Sequence, residues 1–359
     1  KLQAIGLNNN SVSWFRSYLC NRQQMVEING VCSDKLTQSC GVPQGSILGP
    51  ILFLIYINDM SAAVNCKLSL YADDSALIVS DKDINVVELK LNQELENVKK
   101  WFTDNKLSLH LGKTESILFA SKRKLKTRNC LNIVCNNIQI KSVDNVKYLG
   151  AYLDQSLSGV TMAKNVLKKV NGRLKFLYRQ CNNLSSNIKK TLANSLINCH
   201  FDYSCSYWFS TLPLDYRKKL QTSQNKIVRF VNNFHNRHHV GPEELENLNW
   251  LDVVHRVAQL KMSHVHNIFY NKCPEYLSEH FCKISNSHRY NTRGSSYNFY
   301  VPNAKGIQSQ SFYYTAINQW NSLPNSVKCL EDKNNFKRNL KLYFKDEMFR
   351  AEADVFYYY

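Results

Sequence analysis

The chain has 359 residues, of which 44% are hydrophobic, and its formal net charge is +18. This length is enough for two or three domains with cores of their own. No run of about 18 apolar residues occurs, so the sequence predicts no transmembrane helix. We accordingly expect no membrane among its partners. The sequence starts without a Met or a signal-peptide pattern. The 12 Cys include no C-x-x-C pair, which favours reduced thiols and a location inside the cell, in the nucleus and/or cytoplasm.

The excess positive charge is concentrated in residues 161–240, which hold 14 Lys and Arg but only 2 Asp. Such a concentration predicts a polyanionic partner, and nucleic acid is favoured over a membrane surface or a merely solvated basic face. One reason is that aromatic residues able to stack on bases interleave with the charges, namely Tyr178, Tyr203, Tyr207 and Trp208.

The first 60 residues predict a helix, a hairpin and a second helix. Residues 11–19 are typical of a helix capped by Ser11 or Ser13. The alternation in residues 24–28 predicts a strand that turns at Asn29-Gly30. A loop of two Gly and a Pro in residues 41–45 then precedes an apolar helix at 51–60. Ser46 is its expected cap, and its apolar residues lie all round, which predicts a buried helix.

An acidic hairpin follows. The apolar runs 68–71 and 76–79 flank Asp73-Asp74, which predicts two short strands and a tight turn. Two adjacent carboxylates repel each other, and a divalent cation between them would relieve the repulsion. Oxygen ligands of this kind suit Mg²⁺, although an Asp pair in a turn is alone more often solvated than catalytic.

Beyond the hairpin the sequence becomes increasingly helical. Val87, Leu91, Leu95, Val98 and Trp101 recur at spacings of three and four, which predicts an amphipathic helix capped by Asp81 or Asp83. Short strands are expected near residues 107–120 and 146–154. Helices are expected over most of 162–270, with a break near 181–186, and again at 336–349. Residues 284–311 are typical of a long loop.

These segments, in this order, resemble the reverse transcriptase of non-LTR retrotransposons of the long-interspersed-element type. The resemblance rests on six groups of residues: Gly41 to Pro50 with Pro43, Gln44 and Gly45 (motif B); Tyr71-Ala72-Asp73-Asp74 (motif C); Trp101 to Leu107 with Lys113-Thr114 (motif D); Tyr148-Leu149-Gly150 (motif E); Phe201 to Cys205 with Gln224 to Lys226 (thumb); and Thr292-Arg293 with Trp320 to Pro324 (C-terminal extension). The first four together are far more specific than the Tyr-x-Asp-Asp sequence alone.

The resemblance implies an α+β fold in three parts: a partial reverse-transcriptase palm with an antiparallel sheet in residues 1–155, a basic helical thumb in 156–240 and an α-rich extension in 241–359. It implies an RNA-directed DNA polymerase that uses an RNA template, a DNA primer and deoxynucleoside triphosphates. Two metal ions about 4 Å apart, Mg²⁺ or Mn²⁺, would serve nucleotidyl transfer.

The resemblance also implies a role for each site residue. Asp73 would be the principal metal ligand, and Asp74 would assist it or shape the local electrostatics. Lys113 would protonate pyrophosphate or, equally well, make a plain phosphate or surface contact. Residues that surround the reaction would bind template and nucleotide (Pro43, Gln44, Gly45, Tyr71 and Ala72) or position the primer end (Tyr148, Leu149 and Gly150).

Family members carry a further metal-binding Asp on an earlier strand, and no matching residue occurs in 1–40. We therefore expect the chain to lack that strand, the fingers and the endonuclease segment, to fold marginally, and to polymerise poorly alone. Two alternatives stay open. In the first, the chain is a decayed or co-opted remnant that only binds nucleic acid or protein. In the second, it is a relative of maturases or telomerase, and the sequence of residues 320–324 argues against this second alternative.

Overall fold

A computed structural model describes residues 1–180, 183–286 and 295–353. The chain forms two compact units. The N-terminal unit comprises Lys1–Ser116 and Cys130–Val143, and the C-terminal unit comprises Ile117–Asn129 and Asp144–Tyr359. Helices and small sheets occur together, which confirms the predicted α+β class. The pair Thr292-Arg293, which contributed to the family resemblance, lies outside the described residues.

The N-terminal unit has three long helices: α1 (Asn9–Leu19), α2 (Leu48–Ile57) and α3 (Ile84–Asp104). Helix α1 begins earlier than predicted, because the Asn8 side chain accepts from the Ser11 amide at 2.9 Å and so caps the helix. The prediction of Ser11 or Ser13 as the cap was wrong. Asp83 caps α3 by accepting from the Asn85 amide at 2.9 Å, which confirms one of the two predicted caps.

The strands of this unit are short: β1 (Arg22–Gln24), β2 (Glu27–Ile28), β3 (Val31–Cys32), β4 (Leu36–Gln38), β5 (Lys67–Tyr71), β6 (Asp74–Ile78), β7 (Glu115–Ser116), β8 (Val134–Cys135), β9 (Ile138–Gln139) and β10 (Lys141–Ser142). They pair as two-stranded sheets, antiparallel for β1–β4, β2–β3, β5–β6 and β8–β9, and parallel for β7–β10. The predicted turn at Asn29-Gly30 is confirmed, since both residues have positive φ, as a two-residue hairpin turn requires.

One core of the N-terminal unit joins the end of α2, the acidic hairpin and α3. Its buried members are Ile57, Met60, Val98 and Trp101, and apolar residues from the hairpin pack against them. Helix α2 is less buried than predicted. Its outer face exposes Ile51 and Leu54 by about half, because only one side of the helix meets a described neighbour.

The C-terminal unit begins with α4 (Lys122–Thr127) and the hairpin of β11 (Asn145–Tyr148) and β12 (Ala151–Asp154). It continues with helices: α5 (Val160–Gln180), α6 (Ser186–Ala193), α7 (Cys199–Asp202), α8 (Cys205–Trp208), α9 (Leu214–Asn232), α10 (Pro242–Asn247), α11 (Val253–Phe269), α12 (Glu275–Ser278), α13 (Phe312–Ser322), α14 (Asn325–Lys328) and α15 (Lys333–Ala353). Strands β11 and β12 fall within the expected palm, residues 1–155, and they share a compact unit with the helices that follow them.

Two hydrophobic clusters stabilise the C-terminal unit. The first joins buried residues of α5, α9 and the segments between them. The second joins α11, α13 and α15 around Trp320, and the neighbouring Asn321 amide both donates to and accepts from the backbone of Phe299 at 2.8 and 2.9 Å. None of the described helices is long and apolar enough to cross a lipid bilayer.

Candidate active site

The acidic pair lies at the tip of the β5–β6 hairpin, as predicted. Tyr71 pairs with Asp74, so only Ala72 and Asp73 form the turn. Leu68 and Leu77 face each other across the ladder and pack on the core of the unit. Because side chains alternate between the faces of a strand, Tyr71 and Asp74 lie on the face opposite these leucines. The apolar pattern of the hairpin therefore directs Asp74 away from the core.

The turn holds an unusual backbone conformation at Ala72, whose φ is +51°. An L-residue with a Cβ atom is disfavoured there by about 1–2 kcal/mol. Asp73 and Asp74 are both exposed, and the Tyr71 ring is 64% exposed. The structure thus presents two carboxylates and an aromatic ring together on one tight, solvent-facing turn.

The glycine-rich loop before α2 is held from within by Ser46. Its hydroxyl donates to the Pro43 carbonyl at 2.8 Å and accepts from the Gly49 amide at 3.0 Å, so it joins the loop to the first turn of α2. The cap position itself is occupied by Ile47, one residue after the predicted Ser46. Pro43 is buried, whereas Gln44 and Gly45 are exposed at the tip. A Cβ atom on Gly49 would lie 2.9 Å from the Pro43 carbonyl oxygen, so the loop closes tightly on the helix.

The segment resembling motif D contacts the same core. Trp101 is buried there and meets Phe102 edge to face at 5.6 Å, while the Tyr56 hydroxyl of α2 donates to the Asn105 carbonyl. Lys113 is exposed in a short 3₁₀ helix, Leu111–Lys113. Packing therefore joins the helix after motif B, the motif C hairpin and the start of motif D in one unit.

The acidic pair offers oxygen donors, the ligand type that Mg²⁺ and Mn²⁺ prefer. Within the described part of the chain, no three Asp, Glu, His or Cys side chains come together as a metal site would require. Asp73 and Asp74 nevertheless fit one hard cation that completes its coordination with water or phosphate oxygens, as Mg²⁺ commonly does.

The residues expected to position the primer end form the β11–β12 turn in the C-terminal unit. Leu149 and Gly150 both have positive φ, at +46° and +82°. The Tyr203 hydroxyl donates to the Leu149 carbonyl and lies against Gly150. Sequence reasoning placed Tyr203 among base-stacking residues and missed this anchoring contact, which joins positions 54 residues apart.

Helix α5 carries a continuous basic face. Its buried side holds six apolar residues from Met162 to Leu177. Outside this buried side the helix exposes six cations, none of which has an ion pair among the described residues: Lys164, Lys168, Lys169, Arg173, Lys175 and Arg179. Two of them, Lys169 and Arg173, lie at the edge of the buried side, close enough to His200 to lower its pKa. Unpaired cations along one helix face suit contacts to phosphate groups.

Two of the four aromatic residues predicted to stack on bases belong to the interior instead. Trp208 is fully buried, and its indole nitrogen donates to the Tyr203 carbonyl at 3.2 Å. The Tyr207 hydroxyl donates to the Tyr152 carbonyl, and burial, with Asp154 nearby, raises the pKa of Tyr207 to about 12. Tyr178 and Tyr203 retain exposed rings. The charge pattern alone could not separate core aromatics from surface ones.

The N-terminal unit thus carries the glycine-rich loop, the acidic hairpin and the start of the motif D segment, which is the set of features on which the family resemblance depends. Residues 1–153 match the model of the family "Reverse transcriptase (RNA-dependent DNA polymerase)". The matched segment is less than half of the chain, and it contains the motifs B to E on which the resemblance rested.

Relatives of the chain are mobile-element proteins. Over 193 residues it is 26% identical to "RNA-directed DNA polymerase from mobile element jockey" of Drosophila melanogaster. This alignment covers 51% of the chain and 21% of the relative. A "Probable RNA-directed DNA polymerase from transposon X-element" of the same species is 24% identical, over 60% of the chain and 24% of the relative.

A third relative, "Retrovirus-related Pol polyprotein from type-1 retrotransposable element R1 2" of Nasonia vitripennis, is 25% identical over 53% of the chain and 48% of the relative. The resemblance to non-LTR retrotransposon reverse transcriptases is thereby confirmed. The aligned part of the chain spans only about a fifth to a quarter of the first two relatives.

Proposed function

We propose that this chain is part of an RNA-directed DNA polymerase of a non-LTR retrotransposon, acting on an RNA template, a DNA primer and deoxynucleoside triphosphates. The observation that carries the proposal is the exposed Asp73-Asp74 turn on a hairpin that shares a core with α2 and α3. A bound Mg²⁺ or Mn²⁺ pair would stabilise the attacking and leaving oxygens of the transfer.

Each element has a part in this proposal. Asp73 would be the principal metal ligand, and Asp74 would assist it or shape the local electrostatics. Gln44 and Gly45, exposed at their loop tip, face template and nucleotide, while buried Pro43 holds the loop through its carbonyl. The exposed Tyr71 ring and Ala72 also contact template and nucleotide, and the small side chain of Ala72 lets the primer end approach. Lys113 has two roles open to it, proton donor to pyrophosphate or simple phosphate contact.

The turn of Tyr148, Leu149 and Gly150 positions the primer, and the basic face of α5 holds the duplex backbone. Arginine and lysine contacts of this kind follow A-form shape rather than base sequence. Support comes from the unpaired cations of α5 and from the Tyr203 hydroxyl that fixes the turn.

Activity of the chain alone is expected to be low, because the described residues bring no third carboxylate to Asp73 and Asp74. Losing one ligand of a two-metal site removes most of its transition-state stabilisation. We propose that the upstream part of the full gene product supplies the missing carboxylate, together with the endonuclease segment.

Extension of a primed RNA template in Mg²⁺ tests this proposal. The chain alone is expected to extend primers at background level, and the chain fused to the upstream reading frame is expected to be active. In the fusion, Asp73→Asn should lower the rate at least 100-fold, whereas Asp34→Asn, at an exposed loop position, should leave it unchanged. Robust extension by the chain alone would overturn the requirement for another carboxylate, and an active Asp73→Asn fusion would overturn the role of Asp73.

A second function, nucleic-acid binding without catalysis, is favoured by one observation: the basic face of α5 lies in a different unit from the acidic turn. A remnant of this kind would bind RNA in a salt-dependent manner. Its upstream reading frame would be interrupted or belong to a different exon, and its fusion would stay inactive. An intact upstream frame with an active fusion contradicts it.

A further inference from the structure

A cavity of about 380 Å³ lies in the C-terminal unit, between the α6–α7 region, α9 and α15. This volume is within the range of about 300–1,000 Å³ that small-molecule sites occupy. Its wall includes Lys190 of α6, Arg256 of α11 and Lys341 of α15. Three cations from three helices therefore line one cavity that is partly open to solvent.

The charges on this wall do not cancel. Arg256 forms a two-point ion pair with Asp202, at 2.9 and 2.7 Å, so those two groups neutralise each other. Lys190 and Lys341 form no ion pair with a carboxylate in the described part of the chain, and Lys341 donates only to the Asn249 carbonyl at 2.7 Å. Burial lowers the pKa of Lys341, and the cations Lys345, Arg256 and Lys190 lower it further. An anion between the two lysines would relieve this repulsion.

The same wall holds an unused hydrogen-bond acceptor. Oδ1 of Asn198 is buried and has no hydrogen-bond partner in the structure, while Nδ2 of the same amide donates to Asn194 at 3.0 Å. Buried polar atoms are nearly always paired, so an unpaired one at a cavity indicates a missing donor. Both asparagines belong to a π-helical turn, Asn194–Asn198, a distortion that recurs at functional sites.

Apolar side chains complete the wall. Phe201 and Trp250 both line the cavity and are less than 10% exposed. The cavity thus combines two uncompensated cations, one free acceptor and aromatic surface. A phosphate, an N–H donor and a flat apolar ring are the complementary groups, and a nucleotide has all three.

We propose that this cavity binds one nucleotide of a single-stranded nucleic acid, with its phosphate between Lys190 and Lys341 and an N–H group of its base donating to Oδ1 of Asn198. The site uses no residue of the acidic hairpin, so it does not depend on the proposed polymerase function. It would hold a strand by one extruded nucleotide, in addition to the backbone contacts of α5.

Calorimetric titration of the full chain tests the proposal with guanosine 5′-monophosphate, guanosine and inorganic phosphate, in buffer containing EDTA so that metal-dependent binding at Asp73 and Asp74 is absent. We expect the monophosphate to bind saturably at one site, and guanosine and phosphate to bind at least tenfold more weakly. These comparisons need no variant. Absence of saturable binding, or equal affinity for phosphate alone, overturns the proposal.

Variants then locate the site. Lys190→Gln combined with Lys341→Gln should weaken monophosphate binding at least tenfold, and Asn198→Leu should weaken it about tenfold without changing phosphate binding. The matched control neutralises two exposed lysines of α4, Lys122→Gln with Lys126→Gln, and should leave the affinity within twofold. An equal loss in the control overturns the assignment to this cavity.

A single-stranded RNA of ten nucleotides should displace a fluorescent analogue of the monophosphate. Displacement that depends on Asn198 supports the strand as ligand. Failure of the RNA to displace the analogue overturns that half of the proposal and leaves a free nucleotide as the ligand.

Discussion

The two units differ in how they hold their apolar side chains. The described core shared by the acidic hairpin, α2 and α3 has four buried residues, whereas the two clusters of the C-terminal unit contain 25 and 15. The N-terminal unit also exposes large apolar side chains, including Ile47 at 87%, Val31 at 75% and Trp14 at 55%. Buried apolar area is the main favourable term in folding, so the C-terminal unit should be the more stable.

The units also differ in which family motifs they contain and in where their unpaired cations lie. The acidic turn and motifs B to D lie in the N-terminal unit, and the unpaired cations of α5 lie in the C-terminal unit. The residues that identify the family are therefore not those that contribute most to stability or to attraction for a polyanion. Loss of catalysis, loss of folding and loss of nucleic-acid binding should consequently be separable by mutation.

The largest expected effect on stability is at Trp320. This fully buried residue stacks on Phe269 at 5.3 Å and donates to the Tyr297 carbonyl at 2.8 Å. Trp320→Ala should lower the free energy of unfolding of the C-terminal unit by about 3–5 kcal/mol. Urea unfolding followed by circular dichroism should show two transitions, with only the later one shifted.

Trp14→Ala in α1 is the matched control. It removes the same kind of side chain, but from a half-exposed position in the less tightly packed unit. Its cost should be below about 1 kcal/mol. Equal costs for the two substitutions, or a single transition in which both units unfold together, would contradict the difference in packing.

The next effect concerns affinity for RNA. Replacing four cations of α5 by glutamine should lower the slope of log affinity against log salt by about 3, since each phosphate contact contributes about 0.7–0.9. At about 0.1 M salt the affinity should fall on the order of 10²-fold. The substitutions are Lys164→Gln, Lys168→Gln, Arg173→Gln and Arg179→Gln, and filter binding across a salt series measures both quantities.

The control removes the same charge from exposed lysines of the N-terminal unit: Lys35→Gln, Lys82→Gln, Lys100→Gln and Lys106→Gln. If the affinity follows net charge alone, both quadruple variants lose the same amount, and α5 is no special surface. If α5 is the contact surface, the control keeps most of the salt slope.

Local patterns predicted the local elements well. The spacing of Val87, Leu95, Val98 and Trp101 predicts one helical face, and these residues are the buried side of α3. The acidic hairpin and the Asn29-Gly30 turn depend on neighbouring residues, for which the sequence carries the information directly. The same holds for Ser46, whose hydroxyl bonds lie within three residues.

The errors concern contacts between distant parts of the chain. The apolar content of α2 predicts burial on all sides, yet burial depends on what packs against the helix, and the described residues leave Ile51 and Leu54 about half exposed. Trp208 belongs to the strongly basic region 161–240 but packs among the helices of the first cluster. Tyr203 anchors a turn far upstream in the sequence. Periodicity within one element cannot specify the element that covers it.

The turn that carries Gly150 provides a smaller test, confined to the C-terminal unit. Gly150 has φ +82°, and an added Cβ atom would lie 3.2 Å from the Tyr203 hydroxyl oxygen. Gly150→Ala should therefore destabilise the unit by about 1–2 kcal/mol, because the backbone is strained and the tyrosine must move. The later urea transition reports this change.

Gly172→Ala in α5 is the control for that substitution. An added Cβ atom meets nothing within 4 Å there, and alanine is favoured over glycine inside a helix by about 0.5–1 kcal/mol. The control should stabilise the same unit. A Gly150→Ala variant as stable as the original chain would show that the Tyr203 contact does not fix the turn.

The smallest expected effect is at Ala72 and has the opposite sign. Glycine adopts positive φ without the penalty that alanine incurs at +51°. Ala72→Gly should therefore stabilise the N-terminal unit by about 0.5–1 kcal/mol and shift only the earlier urea transition. Ala76→Gly, on β6 of the same hairpin, should instead destabilise it by a similar amount, since glycine weakens a strand interior.

In the active fusion, Ala72→Gly should also slow primer extension, because a relaxed turn no longer holds Asp73 and Asp74 in one orientation. A stabilised variant with unchanged extension would show that the strain at Ala72 has no part in catalysis.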